Sequence, residues 1–133
     1  LGDAQSDPQR LLRLSLYGNA GFSFVAGMTF ALASSPLSLA IGWQTSWVLV
    51  VLGVAGLVFS AGLLWLCSRD TIPLGPAKGI MWCDTAWVAV TIPLVFTGEI
   101  NRTGELGAIA IAYVVLGFSV AQFLGIRRID SAN

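Results

Sequence analysis

Asp84 is the one formally charged residue inside the four long apolar stretches of this chain, so any chemistry carried by those stretches starts there. A carboxyl group at the centre of a bilayer costs ~2.5–3.5 kcal/mol on insertion scales and less near an interface, which turns it inward towards a partner. Asn19 lies at a similar depth on the first stretch, and Gln122 and Ser119 lie one turn apart at a comparable depth on the last. Asp84, Asn19, Gln122 and Ser119 therefore form the candidate ligand- or proton-binding set. Two readings stay open. In one, Asp84 is a structural knot, protonated or in contact with water, that hydrogen-bonds Asn19 and ties three helices together. In the other, it binds a proton, a cation or the polar headgroup of a ligand.

Other chemistry is sparse. The chain has no His, which removes the commonest metal ligand and proton shuttle. It has no G-x-S-x-G, no H-E-x-x-H, no glycine-rich phosphate loop and no paired carboxylates. No catalytic residue, metal site or cofactor is expected, and one acid without a base points away from an enzyme. Cys67 and Cys83 form no C-x-x-C pair and read as small apolar fillers. The alternative is a redox pair similar to that of the small quinone-linked disulfide-forming membrane enzymes. Those enzymes need more than one cysteine pair, and both thiols here fall on the side expected to be reducing.

The elements that hold these residues are set by length and apolarity. Stretches 14–33, 47–66, 79–97 and 106–126 each have the length a helix needs to cross a ~30 Å hydrocarbon layer at ~1.5 Å per residue. The 133 residues are 56% hydrophobic and 11% charged, whereas soluble domains carry about 25% charged residues. The expectation is one all-α membrane domain over residues 1–133, a bundle of four transmembrane helices with almost no mass outside the lipid. Zero net charge and the lack of a dense basic cluster exclude nucleic acid as a partner. Arg10 and Arg13, followed by a run ending in Ala31-Leu32-Ala33, imitate a signal peptide. At ~20 residues the run exceeds a typical signal core, and it reads as the first permanent span.

Charge sets the orientation. With four crossings, Arg10, Arg13, Arg69, Lys78, Arg127 and Arg128 fall on one side, and only Arg102 falls on the other. Basic residues accumulate on the cytoplasmic side, so both termini are expected inside. Trp43 and Trp47 mark the outer interface, and Trp65, Trp82 and Tyr17 the inner one. Trp87, one turn deeper, reads as a packing residue.

Between the spans, Ser35-Pro36 is expected to cap a short surface helix stopped by Gly42. The prolines of residues 68–78 predict a turn-like, non-helical loop. Asn101-Arg102-Thr103 matches a glycosylation sequon, but it lies so close to the membrane that the match reads as chance. Residues 1–9 and 129–133 are polar and expected to fray. Pro93 is expected to kink the third span.

Small residues predict how the helices pack, because in lipid they let backbones approach. Ser23, Gly27 and Ala31 repeat at four-residue spacing in the first span, as do Gly117, Ala121 and Gly125 in the fourth, while the second span offers Gly56 and Ser60. These rows serve contacts within the bundle or with another membrane protein or a second copy. Tyr17-Gly-Asn19-Ala-Gly-Phe22 also lines up with Trp82-Cys-Asp84-Thr-Ala-Trp87: each has a polar residue with an aromatic two before and three after. A parallel duplication of a two-helix unit would leave this trace, although the second and fourth spans do not align.

Arg10-Leu-Leu-Arg13 leading into Tyr17-Gly-Asn19-Ala-Gly-Phe22-Ser23, then Asp84-Thr-Ala-Trp87, then Gln122-Phe-Leu-Gly125-Ile-Arg127-Arg128, resembles the layout of small bacterial four-span proteins grouped as DoxX-like or SPW-repeat-like. The resemblance implies a bacterial inner-membrane setting. Three functions are weighed. The first is a non-catalytic accessory or scaffold subunit packed against a larger membrane complex. The second is a small transporter or ligand- or proton-binding protein using Asp84 with Asn19, which requires a cavity at Asp84. The third is thiol or quinone chemistry at the two cysteines.

Overall fold

The computed structural model describes residues 7–133, and every regular element among them is helical. The order is α1 (Arg10–Leu32), α2 (Ser34–Ile41), α3 (Ser46–Cys67), α4 (Leu74–Val95) and α5 (Arg102–Ala132). Helices α3 and α5 are each long and apolar enough to cross a membrane. Helices α1 and α2 meet that requirement only together, as a pair bent by 91°. Two or three helices thus have span-like length and composition. Helix α4 is not among them, because Gly75, Pro76, Lys78, Gly79 and Asp84 dilute its apolar character.

Backbone proximity holds α1 on α3. A Cβ added to Gly53 would stand 2.5 Å from the Ala31 nitrogen, and one added to Gly27 would stand 2.8 Å from the Gly53 oxygen. Gly56 lies over Gly27, and the Ser60 hydroxyl donates to the Ala20 carbonyl at 2.8 Å. Ser23, Gly27 and Ala31 therefore lie on the seam with Gly53, Gly56 and Ser60, where only small side chains fit. Helix α5 meets α1 at Gly125, where an added Cβ would come within 2.9 Å of Leu12. Ala121 is half-buried, whereas Gly117 is exposed with open space around it. At 3.6 residues per turn, a four-residue step advances about 40° beyond a full turn, so the row rotates off the contact over two steps. Gly117 is therefore not a packing residue within the chain.

Apolar packing concentrates at two levels. Leu12, Leu16, Leu63, Leu66 and Ile126 fill the end where α1 begins, and Val88, Ala112 and Val115 form a smaller cluster further along. The first end is also stitched by polar contacts. The Arg13 guanidinium donates to the carbonyls of Cys67, Arg69 and Asp70, placing a cation over the last turn of α3. Gln9 accepts from the Ile72 amide at 2.9 Å, and Lys78 pairs with Asp130 at 3.8 Å.

The connections correct several expectations. The short helix α2 does end at Gly42, whose φ of 74° supplies the left-handed cap, but it starts at Ser34, and Ala33 before it offers no side-chain cap. Residues 74–78 are helical, not loop: Pro76 falls in the first turn of α4, where its missing N–H is not needed. Residues 129–132 continue α5. Asn101 caps α5 by accepting from the Gly104 amide at 3.0 Å, and it donates to the Ala40 carbonyl at 2.9 Å. Its carboxamide is thereby engaged on both sides. Of the two ends expected to fray, residues 1–6 lie outside the described part.

Candidate functional site

Helix register brings the polar residues together. Asp84 stands about 15 Å into α4 from its start, Asn19 about 14 Å into α1, and Gln122 about 15 Å from the end of α5, at 1.5 Å per residue. All three distances run from the same end of the bundle, so the side chains meet at one level. Asp84 is 4% exposed, Asn19 1% and Gln122 0%. The Asn19 amide donates to Asp84 Oδ2 at 2.6 Å, and the Gln122 amide donates to the same oxygen at 3.0 Å. Asn19 is itself oriented, because its Oδ1 accepts from the Ser23 hydroxyl at 3.2 Å, which leaves its NH₂ facing the acid.

Ser119 lies beside this cluster, not in it. Its hydroxyl is 2.8 Å from that of Thr85 and bonds the Met81 carbonyl at 3.4 Å, linking α5 to α4 one turn from Asp84. The Oε1 of Gln122 is the one buried side-chain polar atom without a partner among the described residues. Burial of an acid among amides, with no basic side chain in the cluster, is costly unless every donor is well placed. Two amide bonds onto one oxygen meet part of that demand.

The cluster borders a cavity of about 250 Å³ that runs between α1, α3, α4 and α5 and is partly open. Asn19, Ser23, Cys83 and Asp84 give it a polar edge, while Phe22, Phe30, Phe59 and Trp87 supply aromatic wall. Phe22 also leans on Phe118, with ring centroids 6.0 Å apart. The cavity persists because α3 and α4 scarcely touch, whereas α1 packs closely on α3 and α4 on α5. Trp87, expected to pack, instead borders this space and is 36% exposed. Thr85, Phe30 and Phe59 carried no signal of their own in the sequence. Phe22 and Trp87 did, as the aromatic three residues after the polar position in each half of the internal match.

Cys67 is buried beside the Arg13 carbonyl and Cys83 is exposed on α4; both are free thiols. Among the described residues, no group of three or more metal-ligating side chains comes together. What the arrangement offers is an acceptor: a carboxyl group held by two amides at the edge of an apolar space. Compared with known families, with curated proteins and with solved structures, the chain shows no match.

Proposed function

We propose that this chain is a four-span integral membrane protein, with both termini on the cytoplasmic face of a bacterial inner membrane, that binds a small ligand at Asp84 and Asn19. The observation that carries the binding reading is a carboxyl group 4% exposed yet set in the wall of a 250 Å³ cavity. A purely structural knot has no need of an adjoining space. A binding site needs an apolar hollow with a few convergent polar groups, which is what borders Asp84.

The membrane placement rests on surface and charge. Large apolar side chains such as Val25, Val58, Val90, Ile92 and Val120 are exposed along the lengths of α1, α3, α4 and α5. Such faces suit lipid and not water. Helices α1 and α4 run 23 and 22 residues, about 33 Å or more at 1.5 Å per residue, enough to cross beside α3 and α5. Six of the seven basic residues then emerge on one side.

The accessory-subunit reading keeps one observation: Gly117 faces outward with open space on α5, next to exposed Tyr113 and Val120. Native mass spectrometry of the chain extracted in mild detergent separates the two. A small molecule that travels with the wild type and is lost from a folded Asp84→Asn variant is the expected result. A chain that always carries a second protein and never a small molecule would replace binding with scaffolding.

A further inference from the structure

Resting on that binding reading, we propose that the cavity takes a lipophilic ammonium, an organic cation with a compact apolar body, which enters sideways from the lipid between α3 and α4 and sets its nitrogen against Asp84. Charge is the first argument. Asp84 is the one formally charged residue among those bordering the cavity, and no Lys or Arg lies on its wall. Its Oδ2 receives two amide N–H donors, the posture of an accepting carboxylate. Asn19 holds that direction because Ser23 occupies its oxygen. With Asp84 ionised in a low-dielectric wall, the countercharge comes from the occupant, and an anion is repelled.

The wall is the second argument. Phe22, Phe30, Phe59 and Trp87 line the same cavity as the acid, with Phe22 and Trp87 one turn from the Asn19–Asp84 contact. Aromatic faces carry negative quadrupole density and attract cations, most strongly where water is excluded. A carboxylate with several rings recognises an alkylammonium better than it does an alcohol or a neutral hydrocarbon. Size is the third. A dry cavity of about 150 Å³ holds benzene, so about 250 Å³ admits a phenyl group with a small ammonium attached. The route follows from the fold: α3 and α4 scarcely touch, and the gap between them faces the surroundings of the bundle.

The test uses benzyltrimethylammonium and its uncharged isostere neopentylbenzene, on the purified full chain in detergent. Cys83 borders the cavity and is exposed while Cys67 is buried, so the rate of Cys83 alkylation by N-ethylmaleimide, read by mass, reports occupancy. The cation is expected to halve that rate at a concentration at least ten-fold below that of the isostere. In Asp84→Asn the two should act within about three-fold of each other. Should that variant not fold, Trp87→Leu serves instead, and the cation's lead over the isostere should shrink at least three-fold. Equal protection by both compounds in the wild type would overturn the ammonium while leaving a binding cavity. Protection by neither would overturn the cavity as a binding site altogether.

Discussion

If the pairs α1–α3 and α4–α5 were two copies of one unit, the seam between α1 and α5 would correspond to the seam between α4 and α3. The first is shut: Gly125 lies so close to Leu12 that not even a methyl group fits between them. The second is ajar, and a cavity occupies the space. The matching segments face each other across this asymmetry. Asn19 bonds Asp84, and Phe22 and Trp87, each three residues further on, border the same hollow. One seam thus supplies rigidity and the other supplies room, and the polar contact lies where they meet. Function in so small a chain needs both, since a cavity survives only if the helices around it are fixed elsewhere.

The tight seams are the ones to break first. Gly53→Leu forces a side chain into the Ala31 backbone and is expected to cost about 3 kcal/mol, at the upper end for overpacking. Thermal unfolding in micelles followed by circular dichroism measures this, and Gly117→Leu, in open space, should leave the melt unchanged. An unshifted melt for Gly53→Leu would show that α1 and α3 are not in backbone contact. Next comes Arg13→Ala, which frees the last carbonyl of α3 and two in the turn that follows it, and is expected to cost ~2 kcal/mol. The same melt reads it, with Arg10→Ala as an inert comparison.

At the junction of the two seams, Asn19→Ala removes a donor from buried Asp84 and is expected to cost ~1–2 kcal/mol. Adding Asp84→Asn to it should recover part of the loss, since the acid then no longer lacks a partner. Strict additivity in that double-mutant cycle would mean that the two groups do not interact. The smallest effect belongs to the open seam. Ala26→Phe projects into the cavity and should change stability by less than about 1 kcal/mol, yet abolish protection of Cys83 by any ligand. Full protection in that variant would place the ligand elsewhere.

Much of this was legible in the chain because long apolar helices have a simple grammar. The long apolar runs announced α3 and α5, and the lone acid announced the level at which polar groups would meet. The partners Asn19 and Gln122 followed from depth alone, since residues equally far from the same end of antiparallel helices are at one height. What could not be read was rotation about each helix axis. Four-residue spacing gives the same stripe whether it faces a neighbour or lipid, so Gly117 and Gly125 looked alike although only the latter is in a seam. Gly53 was not in the row of Gly56 and Ser60, yet it marks the closest approach. Helix ends were also underread: Pro76 and the polar residues 129–132 resemble loop, but a first turn tolerates proline and α5 continues beyond its apolar run. The cavity itself was invisible, because a gap is a property of two helices that fail to meet.

The Arg13 staple carries a consequence for chronology. Its carbonyl acceptors begin 54 residues downstream, so the guanidinium leaves the ribosome long before the groups that satisfy it are made. The first helix is therefore unfastened during early synthesis, and closure with its partner awaits translation past Asp70. A ladder of arrested nascent chains, crosslinked through cysteines placed at Ser23 and Ser60, seam positions that already carry a side chain, should switch from unlinked to linked once that point has cleared the exit tunnel. Linking at much shorter lengths would show that glycine contact, and not the arginine, times the assembly.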